Sequence, residues 1–358
     1  MHHCLFRASC AAFLFSFTAV AQTTTLQLPA RADNTLYEDP AGLLSNGSGQ
    51  YLFVGQTSTG AIRRTLVAFD ISAIPAGSRV TDVQLRLVAS FSQALAPIPV
   101  ALHRVEADWG EGASIAPGGE GAGGPALPGD ATWRHAILPG SPWLQLGGDF
   151  DPVASSTTTM PVTGAFTFGK TVDLIADVQD WLDGRLGNFG WLVKTSEVSS
   201  TTARRIDSRN NTLPAGIVPR LTVSFVAPGA VETYGVGCST SGGMPFTQTI
   251  TGLALQGDQA TLTLQSNVPF GLYVTLMSYD ILPEPLTIEP GCNFWLRTIP
   301  FPNFGLRFHD VTGISSESFA IPFSTQLFGL PLALQSVLVD FAAPRQFSLS
   351  NAHLVVIG

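Results

Sequence analysis

Apolar and polar side chains alternate one for one through most of the chain. Tyr51-Leu-Phe-Val-Gly, Leu66-Val-Ala-Phe-Asp-Ile and Val83-Gln-Leu-Arg-Leu-Val carry the two-residue period of a strand with one buried face, and turns are expected at Asn46-Gly47 and Pro75-Ala-Gly77. Thr261-Leu-Thr-Leu, Leu272-Tyr-Val-Thr-Leu, Asn293-Phe-Trp-Leu and His353-Leu-Val-Val-Ile repeat the pattern, and prolines at 283, 285, 290, 300, 302, 322 and 331 cut this half into short strands. One segment departs from the period. Leu174, Ile175, Val178, Trp181 and Leu182 fall at helical spacing, with Asp173 expected as N-cap and Gly184 just past the end. Such a helix would lay Trp181 on the sheet, and Asp177, Asp180 and Asp183 read as a solvated face rather than a catalytic cluster.

The distribution of small residues divides the chain. Gly110 to Gly129 holds so much Gly, Ala and Pro that a long surface loop is expected there. Ala227-Pro-Gly-Ala-Val-Glu-Thr233 is the best boundary, giving a first β domain over 22–226, a linker over 227–233 and a second, smaller β domain over 234–358. Residues 1–21 read as an export signal: Arg7, an apolar run from Ala11 to Val20, then Ala19-Val-Ala21 before Gln22. That run, like every later one, falls short of the roughly 20 apolar residues a spanning helix needs. Cys10 lacks the aliphatic residue expected before a lipidated cysteine. A secreted or cell-surface protein without a transmembrane segment is expected, and an attachment partner at the cell surface stays open, since no sorting tail is evident. Cys4 and Cys10 would leave with the signal, so Cys238 and Cys292 are expected to pair in an oxidising compartment.

Charge narrows the function classes. The chain has 18 basic and 26 acidic residues, a net −8, and phosphate binding wants the opposite excess, so nucleic acid is not an expected partner. Lys170 and Lys194 are the only lysines, which leaves guanidinium as the plentiful cation for any acidic ligand. Beyond the signal the histidines are His103, His135, His309 and His353, with no Gly-x-Ser-x-Gly elbow, which disfavours a serine hydrolase. Glu106, Asp108 and Glu111 could flank a cleft as glycosidase carboxylates, but acidic residues at loops and strand ends are commonly solvated charges, and no enzyme is expected. Asp149 and Asp151 in Gly147-Gly-Asp-Phe-Asp suit a structural Ca²⁺, because the glycines allow the tight turns that bring hard oxygens together.

Sugar binding asks for flat rings to stack on pyranose faces, with planar hydrogen-bonding groups at the edges and arginine where the sugar is carboxylated. Tyr37, Tyr51 and Trp143 are the aromatic candidates. Two arginine pairs, Arg63-Arg64 and Arg204-Arg205, place one side chain on each face of a strand, so one of each pair could reach a groove.

Six segments occur in a telling order: Thr65-Leu-Val-Ala-Phe-Asp-Ile71, Asp108-Trp-Gly-Glu-Gly112, Asp130-Ala-Thr-Trp133, the Asp173–Gly184 helix, Gly190-Trp-Leu-Val193 and Val218-Pro-Arg-Leu-Thr-Val-Ser-Phe225. Over roughly Asp33 to Phe225 the chain resembles the DNRLRE-type β-sandwich module, a family with polysaccharide-binding members close to the alginate-binding ones (carbohydrate-binding module family 96-like). The hexapeptide that names the family is absent, and Gln84-Leu-Arg-Leu87 stands where a related strand would be. The second domain opens with Tyr234-Gly-Val-Gly-Cys238 and closes with Leu349-Ser-Asn-Ala352 and a final Ile-Gly, as does a C-terminal domain of unknown function common in secreted bacterial proteins. The resemblance implies a jelly-roll-like β-sandwich followed by a smaller one, and a non-catalytic module holding an extracellular polysaccharide, acidic ones included. A structural or adhesive envelope protein without a glycan ligand is the alternative.

Overall fold

The computed structural model describes residues 23–212, 218–252, 254–297 and 301–358, so the expected export signal lies outside the described residues. The first domain is built on a ten-stranded ladder: β1 (Thr24–Tyr37), β2 (Tyr51–Gln56), β3 (Ile62–Phe69), β4 (Arg79–Ser92), β5 (Ile98–Arg104), β6 (Ser156–Met160), β7 (Gly164–Phe168), β8 (Trp191–Lys194), β9 (Arg204–Asp207) and β10 (Arg220–Val226). One layer takes the first part of β1, then β10, β4, β9 and β2, with β7 also on β4. The facing layer takes the rest of β1, then β3, β8, β5 and β6.

Two strands cross between the layers. β1 leaves β10 after Pro29 and joins β3 from Ala30, with a register irregularity between Ala30 and Ala32. β2 pairs with β9 through Val54 and with β3 from Gly55. Gly55 has φ +106°, and a Cβ there would stand 2.6 Å from the Thr202 carbonyl oxygen, so the crossing needs a residue without a side chain. The inward side chains, among them Leu52, Val67, Phe69, Leu85, Trp191, Ile206 and Leu221, fill the space between the layers. A second apolar cluster, with Leu36, Leu66, Trp109, Trp133, Trp143 and Leu192, lies on the outer face of the β3 layer under the loops.

The helix α1 (Val172–Leu182) forms where the spacing places it, with Leu174, Ile175, Val178 and Trp181 in the sandwich core. Two details differ from expectation. The N-cap is Thr171, whose hydroxyl accepts from the Leu174 amide at 3.1 Å, and Asp173 sits in the first turn, favourable to the helix dipole. Asp177 is buried, not solvated: it accepts from Ser155 Oγ (2.5 Å) and Trp191 Nε1 (2.8 Å) and pairs with Arg104 Nε (3.2 Å). The reason is the helical period, since 174, 177, 178 and 181 are i, i+3, i+4 and i+7 on one stripe. Asp180 and Asp183 do face outward and pair with Arg185, each at 2.6 Å.

The glycine-rich stretch is not a loose surface loop either. Gly124 and Pro125 pair with Leu44 and Ser45, while Ala116 and Glu120 are buried. Glu120 accepts from Asn46 Nδ2 (2.8 Å), the Tyr51 amide (2.9 Å) and the Gln50 amide (3.2 Å), and its carbonyl accepts from the Tyr37 hydroxyl (3.0 Å). Small residues here mark close approach: a Cβ on Gly110 would meet the Gly129 carbonyl oxygen at 1.9 Å.

No strand pairing joins the stretch ending at Val226 to the one starting at Val231 among the described residues. The expected linker is shorter than predicted, because Val231–Tyr234 is already a strand paired with Phe347–Val356. The second domain has a five-stranded sheet (Val231–Tyr234, Phe347–Val356, Pro331–Val339, Leu272–Ser278, Phe301–Phe308), a three-stranded sheet (Thr247–Thr251, Gln259–Gln265, Ile314–Ala320) and the hairpin Ile281–Glu289/Cys292–Leu296. Its interior includes Phe246, Leu262, Leu264, Tyr273 and Leu338. The protein is thus all-β, of sandwich type, and no helix among the described residues is long and apolar enough to cross a membrane.

Cys238 and Cys292 form the expected disulfide, which ties the start of the second domain to its hairpin across a sequence separation of 54 residues. Loop-closure entropy for a ring of that size contributes about 3 to 4 kcal/mol. Replacing both cysteines with serine is expected to lower the stability of the second domain by that order in denaturant titrations, and a loss below roughly 1 kcal/mol would contradict the entropic account.

Candidate functional site

A cavity of about 500 Å³ opens beside β2, β9 and the end of β4, a size common for small-ligand sites. Arg205 stands opposite Phe53 on β2 and Phe91 on β4, so the three side chains share one face of the layer. The Gly119–Gly121 segment forms a wall, and Gln56, Thr57, Ser58 and Gln93 supply neutral polar groups. Of the seven residues expected to bind a ligand, Arg63, Arg204 and Arg205 line this cavity.

Each guanidinium is held differently. Arg205 lies with Cζ 3.8 Å from the Tyr51 ring centre and 5.5 Å from that of Phe91, and its Nε donates to Ser90 Oγ at 3.0 Å. Arg63 lies 4.9 Å from the Tyr37 ring centre and donates to the carbonyls of Gly121 (3.3 Å), Glu38 (3.2 Å) and Ile62 (2.9 Å). Arg204, 1% exposed, donates to Ser92 Oγ and the Ala96 carbonyl, while its Nε has no partner. Burial lowers the pKa of both Arg63 and Arg204, which means that each positive charge is held against a desolvation cost. Among the described residues no Asp or Glu lines the cavity, although the chain as a whole is acidic.

The remaining candidates lie elsewhere. Tyr37 is fully buried, with its hydroxyl on Glu120 and its ring under Arg63, so it offers no face to a sugar. Trp143 is buried in the outer cluster, where Nε1 donates to the Thr132 carbonyl at 2.8 Å. Tyr51 is half-buried and capped by Arg205. Arg64, on the opposite face from Arg63, packs over Trp133 and Phe150, grips Glu197 with two bonds (2.8 and 2.9 Å) and donates to the Gly147 carbonyl at 2.7 Å. These contacts make Tyr37, Trp143 and Arg64 parts of the framework rather than one platform.

The ring that is open to solvent was not expected. Phe91 is 51% exposed, yet its place in Leu85, Leu87, Ala89, Phe91 assigns it to the core by alternation. A register shift opposite Arg205 and Ile206 adds Ser90 as an extra residue and turns Phe91 outward. Nothing in the local sequence marks that bulge.

The candidate carboxylates are engaged within the protein. Asp149 accepts from the amides of Leu144 and Gln145 (2.9 Å each), and Asp151 accepts from the Val153 amide (2.9 Å) and Arg104 Nη2 (2.8 Å). These bonds engage both carboxylates of the Gly-Gly-Asp-Phe-Asp turn, and the described residues contain no group of three or more His, Cys, Asp or Glu placed to hold a metal. Asp108 accepts from its neighbour Trp109, and Glu106 lies 3.6 Å from Arg104. Glu111 binds Arg209 through both oxygens (2.5 and 2.6 Å) and accepts the Asp33 amide at 2.8 Å. No protein-family model matches the chain, and no curated protein does.

The Glu111–Arg209 pair leads to a buried acid. Asp33 accepts from Ser208 Oγ (2.9 Å) and the Arg209 amide (2.7 Å), but burial outweighs both bonds and pushes its carboxyl up to about 7. Burial raises Asp177 and Asp207 as well. With the folded pKa above the unfolded value of 3.8, the native state keeps a proton that the unfolded chain has lost. The stabilisation is fully present below about pH 3.8 and is lost as pH rises through about 7. Denaturant titrations should therefore show first-domain stability falling across this window, with a shallower fall in Asp33→Asn. An unchanged slope in that variant would remove Asp33 as a cause.

Proposed function

We propose that this protein is a secreted, non-catalytic carbohydrate-binding protein that seats an extracellular polysaccharide in the Phe91–Arg205 cavity, with carboxylated polymers preferred. The carrying observation is the charge pattern of the cavity: three arginines, two of them buried and bonded only to neutral acceptors, and no carboxylate among the described lining residues. Phe91 offers a stacking face, Gln56 and Gln93 offer planar amides, and Arg205 is fixed between two rings with its fork unspent. The resemblance of the first domain to DNRLRE-type modules supports the same reading. A glycan-cleaving role would call for two carboxylates flanking a bond, and this cavity has none among its lining residues.

Affinity electrophoresis against neutral and uronic-acid polysaccharides tests the reading. Retardation is expected on acidic gels, weakened by added salt. Arg205→Ala removes a charge-assisted contact of about 1.5 to 3 kcal/mol, roughly ten- to hundredfold in affinity, and Phe91→Ala removes the stacking face, about 1 kcal/mol. Free migration of the wild type on every glycan would sink the proposal and leave the envelope-scaffold reading in its place.

A further inference from the structure

His309 sits at one end of the second domain's core. The residue is 2% exposed, its ring lies 4.8 Å from that of Tyr273 and 5.8 Å edge-on from that of Phe246, and neither ring nitrogen has a hydrogen-bond partner. The charged groups around it are already engaged. Asp310 accepts from the amides of Thr312 (2.8 Å) and Ile314 (3.0 Å). Glu317, on Ile314–Ala320, accepts from the Tyr273 hydroxyl (3.0 Å) and pairs with Arg307 (3.1 Å) on Phe301–Phe308. The strands Thr247–Thr251, Gln259–Gln265 and Pro331–Val339 carry no titratable side chain. An imidazolium at this position would meet two aromatic rings, with only the Ile314 carbonyl, already accepting from the Asp310 amide at 2.8 Å, and the Asp310 charge to favour it, and burial outweighs both.

The second buried histidine, His353, makes a useful contrast. Its Nδ1 lies 3.0 Å from Thr233 Oγ1 and its Nε2 3.0 Å from the Gln248 carbonyl, with Glu232 the nearest carboxylate and bonded to the Tyr234 hydroxyl at 2.7 Å. Both nitrogens of that ring have hydrogen-bond partners, although burial lowers its pKa too, whereas neither nitrogen of His309 makes a hydrogen bond.

We propose that His309 makes the second domain an acid-sensitive element, in which protonation loosens the Tyr273–Phe246 core while the first sandwich stays closed. Burial lowers the pKa of His309, so the unfolded state binds the proton more tightly than the native one. Stability from this group is complete above the ordinary histidine value of about 6.5 and is lost as pH falls below it. In the first domain burial lowers the pKa of His103, a contribution of the same sign, but the raised Asp33, Asp177 and Asp207 give the opposite slope and outnumber it. Acidification therefore acts unequally on the two halves of the chain.

Hydrogen exchange of the intact mature protein at pH 7.5 and 5.0, corrected for intrinsic rates, tests this. Peptides from 234–252 and 254–297 are expected to open more often at pH 5.0, on the order of tenfold for each pKa unit by which folding depresses the imidazole, while peptides from 24–212 do not. Burial lowers the pKa of His353 as well, so in His309→Phe and His309→Gln the ratio between the two pH values should fall clearly below the wild-type ratio, whatever either variant does to stability overall. A wild-type ratio near one, or the same ratio persisting in both variants, overturns the proposal. So does an NMR titration in which the His309 ring protonates at an ordinary value in the folded protein.

Discussion

A charge taken out of water needs an opposite charge or a full set of hydrogen bonds, and this constraint organises the first domain. Its buried acids are answered by specific donors: Asp177 by Ser155, Trp191 and Arg104, Glu120 by three donors from the Asn46–Tyr51 turn. Arg64 is answered by Glu197 and Arg209 by Glu111. Arg63 and Arg204 are the exceptions, since both have only neutral acceptors, and Arg204 also keeps an unbonded Nε. A positive charge left uncompensated beside a cavity raises the potential inside it, and low-dielectric walls keep that potential from being screened. On the proposed reading, that potential would favour an anion over a neutral ligand before any ligand contact is considered.

Strand geometry explains how the arginines divide. Neighbours on a strand face opposite ways, so Arg63 and Arg64 serve different surfaces, whereas Arg204 and Arg205, at the irregular edge opposite β4, both reach the cavity. Arg64 goes to the outer cluster and locks Trp133 and Phe150, whereas Arg63 goes to the Tyr37 ring and the Gly121 carbonyl. Within the first pair, one face of the strand is enough to assign the other. This much was legible in the sequence, along with the β class, the helix and the disulfide, because each depends on periodicity or on counting.

What the sequence did not disclose depends on departures from period or on partners far along the chain. The extra residue at Ser90 reverses the facing of Phe91, and a bulge has no local signature of its own. Asp177 is polar but falls on the apolar stripe of its helix, and the periodic reading held where the charge-based one failed. The Gly110–Gly129 stretch lacks bulk, which suggested exposure; in the fold the same smallness lets backbone pack on backbone, with Glu120 as the anchor. Tyr37 and Trp143 looked available because aromatic side chains serve cores and platforms equally well. Only the distant partners, Glu120 for one and Thr132 for the other, decide between those roles.

The way Arg205 is held bears on how such a cavity would bind. Its guanidinium is packed by Tyr51 and approached by Phe91, and its Nε is tied to Ser90, so most of the side chain's rotamer freedom is already lost in the free protein. A ligand anion meeting this fork does not have to order it, and ordering a long side chain otherwise costs about 0.5 to 1.5 kcal/mol. The site nevertheless has one exposed ring rather than a row of them, which limits the stacking area for a single sugar unit. Rigid, lined by arginine and small in contact area, it would on the proposed reading suit a polymer that presents the same charged unit many times. Repetition raises the effective concentration of the next unit each time one dissociates, so retention can exceed what one contact supplies.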